Sequence, residues 1–208
     1  MAIRLEIGAL TLRPVRESDL AQLASMLPDD AEHDPASEML AGLSLEENRR
    51  RILLQTYWKS LGTWSVDSWS ILFRVVDGDR VVGVQGLEGE HFASLRTVDS
   101  WSWLDPAARA RGMGVAMRTA VLALAFDHLG AQSAVSSASE DNVASLAVSR
   151  RIGYDDNGVS RSLSPSGPCT LRHMLLSKHV WAASGRGAAV TVRGLDGSAP
   201  WFGVDVLS

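Results

Sequence analysis

A single cysteine, Cys169, in a chain of 208 residues leaves no partner for an internal disulfide and no thiolate cluster for a metal. That scarcity fits a reducing compartment, so the cytoplasm is the expected location. Excess cations are missing as well: 20 Lys and Arg against 24 Asp and Glu give a net charge of -4, and the isoelectric point is near 5.7. Phosphate-tracking surfaces need clustered excess positive charge, which argues against an electrostatic nucleic-acid binder and leaves room only for a local basic patch. Long apolar runs are absent: the longest, Ala120 to Phe126, falls far short of the roughly 20 residues that a membrane helix needs. Residues 1–20 alternate apolar and charged positions in place of an apolar signal core. No Gly-Lys-Ser or Gly-Lys-Thr closes a turn, which removes a P-loop. His33, His128, His173 and His179 show no convergent ligand spacing, so no metal is expected.

What is present is an ordinary globular composition, 46% hydrophobic and 21% charged, and enough chain for one domain with a substantial core. The most informative stretch is Arg109-Ala110-Arg111-Gly112-Met113-Gly114-Val115-Ala116, between a Trp-rich extended segment and a long apolar helix. Gly112 and Gly114 leave no side chain over the turn, so backbone N–H groups can converge at a helix N-terminus that carries about half a positive charge. Arg109 and Arg111 add two permanent cations, and a pyrophosphate would fit. Taken alone, the same residues also read as a glycine turn with solvated arginines. A dinucleotide fingerprint does not fit, because Met117 stands where a small residue is wanted and helix and loop follow where a strand with an acid should come.

In chain order, Leu10 to Pro14 reads as a first strand and Ser18-Asp19-Leu20 as a helix start. Residues 28–43 are loop-rich. Ser44-x-x-Glu47 is a capping box for a helix to about Leu61, ended by Gly62, and its Asn48-Arg49-Arg50-Arg51 run reads as a solvated face. Ser70 to Val76 and Arg80 to Leu87 form a hairpin about Asp77-Gly78-Asp79. Asp99 to Leu104 is a further strand, with Asp99, Trp101 and Trp103 on one face, stopped by Asp105-Pro106. The helix from Gly114 to Leu129 is apolar on nearly all sides, interrupted by Arg118, Thr119, Asp127 and His128, and must be largely buried. A strand over Ala131 to Ala138 and a helix capped by Asp141-Asn142 follow. Two strands, Tyr154 to Leu163 and Thr170 to Lys178, flank the turn from Ser164 to Pro168. Residues 182–208 form an extension read as a hairpin, docked on the sheet or on a second subunit to make a homo-oligomer.

Arg109, Gly112 and Gly114 match the Arg/Gln-x-x-Gly-x-Gly/Ala signature, and the chain resembles the GNAT superfamily of acyl-CoA-dependent N-acyltransferases. Leu10 to Pro14 with Asp19, Asp141-Asn142-x-x-Ser145, Gly153-Tyr154 and Lys178 to Trp181 are similar to the RimJ/RimL-like branch. The resemblance covers about residues 8–181 and implies an α/β fold with a mixed sheet of about seven strands flanked by helices, over a domain spanning 1–181. It implies acetyl-CoA or succinyl-CoA as donor, an amine as acceptor and direct attack without a covalent enzyme intermediate. The succinyl option comes from Val98 to Leu104 and Ala147 to Arg151, which resemble a mycobacterial GNAT described as a succinyltransferase. For an acidic acyl group, Gln85, His91 and Arg96 are the side chains expected nearby.

By the same resemblance, Arg109, Arg111, Gly112, Met113, Gly114, Val115 and Ala116 hold the coenzyme pyrophosphate, and Trp103 and Leu104 pair with the pantetheine arm. Asp99 stands where relatives carry a base, or else is a strand-edge carboxylate; Glu88, Glu90 and His91 are further base candidates. Many relatives protonate the thiolate with a tyrosine where this chain has Ser149. That departure shifts the donor role to Ser145, either as acid or as coenzyme ligand beside Asn142, unless Asn142 only caps the helix and Ser145 is its surface. Tyr154 reads as core, and Cys169 as incidental. Two rivals remain: a non-catalytic acyl-CoA-binding module, and a nucleotide hydrolase that lacks the lysine it would need.

Overall fold

A computed structural model of the chain describes residues 1–31, 37–164 and 167–204; His33 and the centre of the Ser164–Pro168 turn lie outside these. Nine strands form one mixed sheet: β1 (Arg4–Ile7), β2 (Leu10–Pro14), β3 (Trp69–Asp77), β4 (Arg80–Gly89), β5 (Thr97–Leu104), β6 (Ser133–Ser139), β7 (Asp155–Ser164), β8 (Gly167–Ser177) and β9 (Thr191–Arg193). Their order is β7-β8-β6-β5-β4-β3-β2-β1-β9. The helices are α1 (Leu20–Ser25), α2 (Leu45–Gly62), α3 (Phe92–Leu95), α4 (Met113–Ala123), α5 (Val143–Ile152) and α6 (Lys178–Ser184). None among the described residues is long and apolar enough to cross a membrane.

Two apolar layers sandwich the sheet. On one face α4, all but encased, packs Met117, Ala120 and Val121, with Leu124 just beyond its end, against Leu5, Leu12, Phe73, Leu87, Val98 and Ala134. α4 continues without a break into a π-turn at Leu124–His128. On the other face Leu20 and Leu23 of α1 and Leu53 and Tyr57 of α2 cover Leu72, Val84 and Trp103. α2 starts on the expected capping box: Glu47 N donates to Ser44 Oγ (3.2 Å) and Ser44 N to Glu47 Oε2 (2.8 Å).

Three expectations need correcting. The sheet gains two strands over the expected seven, because Ile3, Leu5 and Ile7 alternate inward with Arg4 and Glu6 and so make β1. The tail is not a hairpin among the described residues: β9 runs antiparallel to β1, and Ala199–Phe202 then coils into a 3-10 turn. Phe202, fully buried against the rings of Trp64 and Trp69, is better satisfied there than on an exposed return strand. The Asn48–Arg51 run is not a solvated face either, since Asn48 and Arg49 are buried. Asn48 binds the backbone of Leu40 and Leu43, and Arg49 the carbonyls of Pro28 and Ala31. Both stitch the α1–α2 connection to α2.

Candidate functional site

β5 and β6 run parallel but pair only at Thr97–Ser133, Val98–Ala134 and Asp99–Val135. Past Asp99 the two strands part, although β6 stays zipped to β8 as far as Ser139–Leu171. The result is a slot between Ser100–Leu104 and Ser136–Ser139 at the C-terminal ends of parallel strands, where α/β sheets take ligands. Its inner walls keep backbone groups with no sheet partner on that side, Trp103 and Leu104 included.

The glycine loop lies against the end of β5: Arg109 Nε donates to Leu104 O (3.1 Å), and a Cβ on Gly114 would lie 3.9 Å from Leu104 Cδ1. Ala110 and Gly112 adopt left-handed φ of 59° and 79°, which turns the chain sharply into α4. The first intrahelical bond is Ala116 N to Gly112 O (3.1 Å), so the N–H groups of Met113, Gly114 and Val115 are left for another acceptor. Gly112 therefore has a backbone reason, its positive φ, that differs from the clearance expected of it. Gly114 has a second one: a Cβ there would lie 3.3 Å from Val148 Cγ2, so the glycine also lets α4 approach α5.

The two arginines differ. The Arg111 side chain is 58% exposed, with a distant contact to Asp77 (3.7 Å) among the described residues. Arg109 is engaged: Nη1 and Nη2 grip Asp30 (2.5 and 2.7 Å), and Nε donates to Leu104 O (3.1 Å). The bidentate pair holds the Asp30 carboxyl below its ordinary range. Asp30, which the sequence did not single out, ties the α1–α2 connection to the anion loop.

On the α1/α2 face, at the closed end of the slot, Asp99 of β5 sits directly opposite Glu88 of β4. Burial pushes the Asp99 carboxyl up to about 6; the Ser100 N–H resists this (2.6 Å), Glu88 adds to it and Arg118 opposes it. Glu88 is held by Trp101 Nε1 (2.8 Å) and Ser70 Oγ (3.1 Å). Trp101 itself lies flat over Gly86, where a Cβ would come within 2.6 Å of the indole nitrogen. Glu90 falls beyond the end of β4, and His91 pairs with Asp67 (2.7 Å).

On the α4 face, Asn142 Oδ1 caps α5 by accepting from Ser145 N (3.0 Å), and the Ser145 side chain is half-buried near the helix start. Ser149 has another partner: its hydroxyl donates to Ser145 O (3.2 Å) and accepts from Arg118 Nη1 (2.6 Å). Arg118 is only 3% exposed and, among the described residues, makes no ion pair. Tyr154 is buried too, and its phenol is pushed up to about 12. The signal for Arg118 was visible as the one cation inside an apolar helix. Of the side chains expected near an acidic acyl group, Gln85 is buried with its amide on Gly86 O and Trp101 O, and Arg96 lies over the Phe92 ring.

Solved structures share this architecture. RimJ from Mycobacterium smegmatis, in complex with a CoA-disulfide, superposes with a TM-score of 0.65 at 17% identity, over 88% of this chain and 93% of that one. RimL, a ribosomal L7/L12 alpha-N-protein acetyltransferase solved with coenzyme A, gives 0.65 at 15%, over 84% and 97%. A spermidine N-acetyltransferase SpeG chimera from Vibrio cholerae gives 0.65 at 14%, over 84% and 99%. At such identities the likeness speaks for the fold. The sequence speaks for the family: residues 9–155 match the acetyltransferase (GNAT) domain, and the chain belongs to the GNAT acetyltransferases.

Proposed function

We propose that the protein transfers an acetyl group from acetyl-CoA to a primary amine by direct attack on the thioester. The observation that carries this reading is the slot itself, which opens beside an anion-binding helix start and closes on the Asp99–Glu88 carboxylate pair. In this arrangement Met113, Gly114 and Val115 offer backbone N–H groups to the pyrophosphate, with Ala116 next in the helix and Arg111 free to add charge. The pantetheine arm lies along Trp103 and Leu104, and the thioester reaches the point where the strands part. The amine enters from the α1/α2 face, where two carboxylates and the Trp101 ring favour an ammonium. A base at about 6 is weak for a lysine of ordinary pKa about 10.4 and better matched to an α-amine near 8. A protein N-terminus or another low-pKa amine is therefore the acceptor class.

Acetyl is preferred over succinyl because Gln85, His91 and Arg96 are all committed to other partners. Ser145 is a neighbour of the coenzyme near the start of α5, with Asn142 fixing that turn. The test is thiol release from acetyl-CoA and succinyl-CoA with a mixed library of peptide amines, alongside calorimetry of each donor. Acetyl transfer is expected. Binding without turnover on any amine would favour the non-catalytic module, and absence of binding would end the reading.

A further inference from the structure

Among the described residues, the buried side-chain atoms of the α4 face without a hydrogen-bond partner include Arg118 Nε of α4, Tyr154 Oη after α5 and Ser100 Oγ of β5, beside Trp69 Nε1 and Gln85 Oε1 farther along the sheet. The first three belong to one cluster. Arg118 Nη1 binds Ser149 Oγ (2.6 Å), and the Tyr154 backbone N–H binds Ser149 O (3.1 Å), so both converge on the same turn of α5. The Tyr154 phenol is within electrostatic reach of Arg118 and Asp99, with the Ser100 hydroxyl beside it in the same cluster. Ser100 is the first residue beyond the last β5–β6 pair, so the cluster lies at the bottom of the slot. Each of the three atoms can offer a proton and one belongs to a cation; the Tyr154 and Ser100 hydroxyls lie close enough to interact with each other, short of good hydrogen-bond geometry, and Arg118 Nε has no acceptor among the described residues. Burying unpaired donors costs roughly 1–3 kcal/mol each unless a ligand completes them.

We propose that Arg118, Tyr154 and Ser100 together receive the negative charge that develops on the sulfur of the acyl donor. The inference rests on the acyl-transfer reading. In the step it describes, the amine lone pair forms the C–N bond and the C–S bond breaks with its electron pair going to sulfur. The surplus ammonium proton passes to the Asp99–Glu88 pair on the opposite face. Sulfur leaves as a thiolate held by three donors, and the enzyme needs no tyrosine at the position of Ser149. Instead Ser149 orients Arg118 through a bond that it in turn anchors on Ser145 O. Tyr154, whose burial keeps it protonated, contributes a hydrogen bond and keeps its proton. Among the described charged groups that act on the cluster, Arg118 is the cation, and Asp99 and, behind it, Glu88 are the anions.

The experiment titrates coenzyme A bound to the full chain by its thiolate absorbance, for wild type, Arg118→Met, Arg118→Lys and Tyr154→Phe. An ordinary thiol titrates at about 8.5. The bound thiol is expected about a unit or more lower in wild type, near tenfold more thiolate at the same pH, and the shift should be lost in Arg118→Met, reduced in Tyr154→Phe and kept in Arg118→Lys. Tyr154→Phe retains the buried ring and decides the matter if Arg118→Met does not fold. A bound thiol that titrates as in free solution, or identically in wild type and Tyr154→Phe, overturns the inference while leaving acyl transfer intact. Calorimetry showing no coenzyme A binding by wild type removes the function reading and this inference together.

Discussion

Replacing Asp99 by Asn should make the protein more stable and less active, with the two effects separated by pH. In the unfolded chain the Asp99 carboxyl titrates near 3.8; in the folded one burial raises it to about 6. Between these values the folded protein binds more protons than the unfolded one, so this residue's contribution to stability falls as pH rises through the window. Above it the full penalty persists. Two units correspond to about 3 kcal/mol as an upper figure, since the side chain keeps some solvent contact. Asn cannot ionise, yet its oxygen can still accept from Ser100 N–H. Urea unfolding should therefore show a gain of up to about 3 kcal/mol for Asp99→Asn at about pH 8, fading towards zero below about pH 4. The melting temperature should rise by about 2–4 °C per kcal/mol for a chain of this size. Turnover with acetyl-CoA should drop about a hundredfold or more if Asp99 is the base. A gain equal at all pH values, or a loss at about pH 8, would refute the burial argument; an unchanged kcat would hand the base role to Glu88.

Gly86→Ala sets a methyl group against the Trp101 ring, which cannot withdraw without giving up its bond to Glu88; a loss of about 1–3 kcal/mol is expected in denaturant unfolding, with kcat falling further than KM rises. Asp30→Asn releases Arg109 from its bidentate partner, and since an exposed pair is worth about 0.2–1 kcal/mol, calorimetry should show acetyl-CoA binding up to about fivefold tighter; weaker binding would mean that the pair organises the loop. Phe202→Ala empties a fully buried aromatic site against Trp64 and Trp69 and should cost about 3–5 kcal/mol, with turnover per folded molecule unchanged.

Most elements were legible because their signals are local. The Ser44–Glu47 box, the Gly78 turn and the Asn142 cap each satisfy their own backbone within a few residues, and all three stand where the sequence put them. The glycine loop could be located from its residue types, but the left-handed turn at Gly112 comes from the structure. What stayed hidden depends on partners distant in sequence. β9 becomes a strand only because β1, almost the whole chain away, has an open edge. Asp30 is an unremarkable loop acid until Arg109 reaches it. Asp99 could be placed on a strand face, but the register that sets Glu88 opposite is a property of the sheet. Tyr154 and Arg118 each read as a local feature, a core aromatic and a break in an apolar helix, and it took the packing of α4, α5 and β5 to join them.

The pairing of β9 with β1 also sets an order of events during synthesis. The N-terminal strand emerges first, and its outer edge, with Leu5 fully buried in the finished molecule, has no cover until Thr191–Arg193 has been made and has left the ribosome. At about 5–20 residues per second that interval lasts on the order of ten seconds or more, a time in which an open edge can template pairing with another chain. If the rest of the sheet has formed by then, closing it orders only the short stretch between Ser184 and Thr191, so the late step is entropically cheap although its partners are far apart in sequence. Chains cut short before Thr191 would meet the cell as sticky sheets, and their fate would be decided by chaperones and proteases before catalysis entered the question.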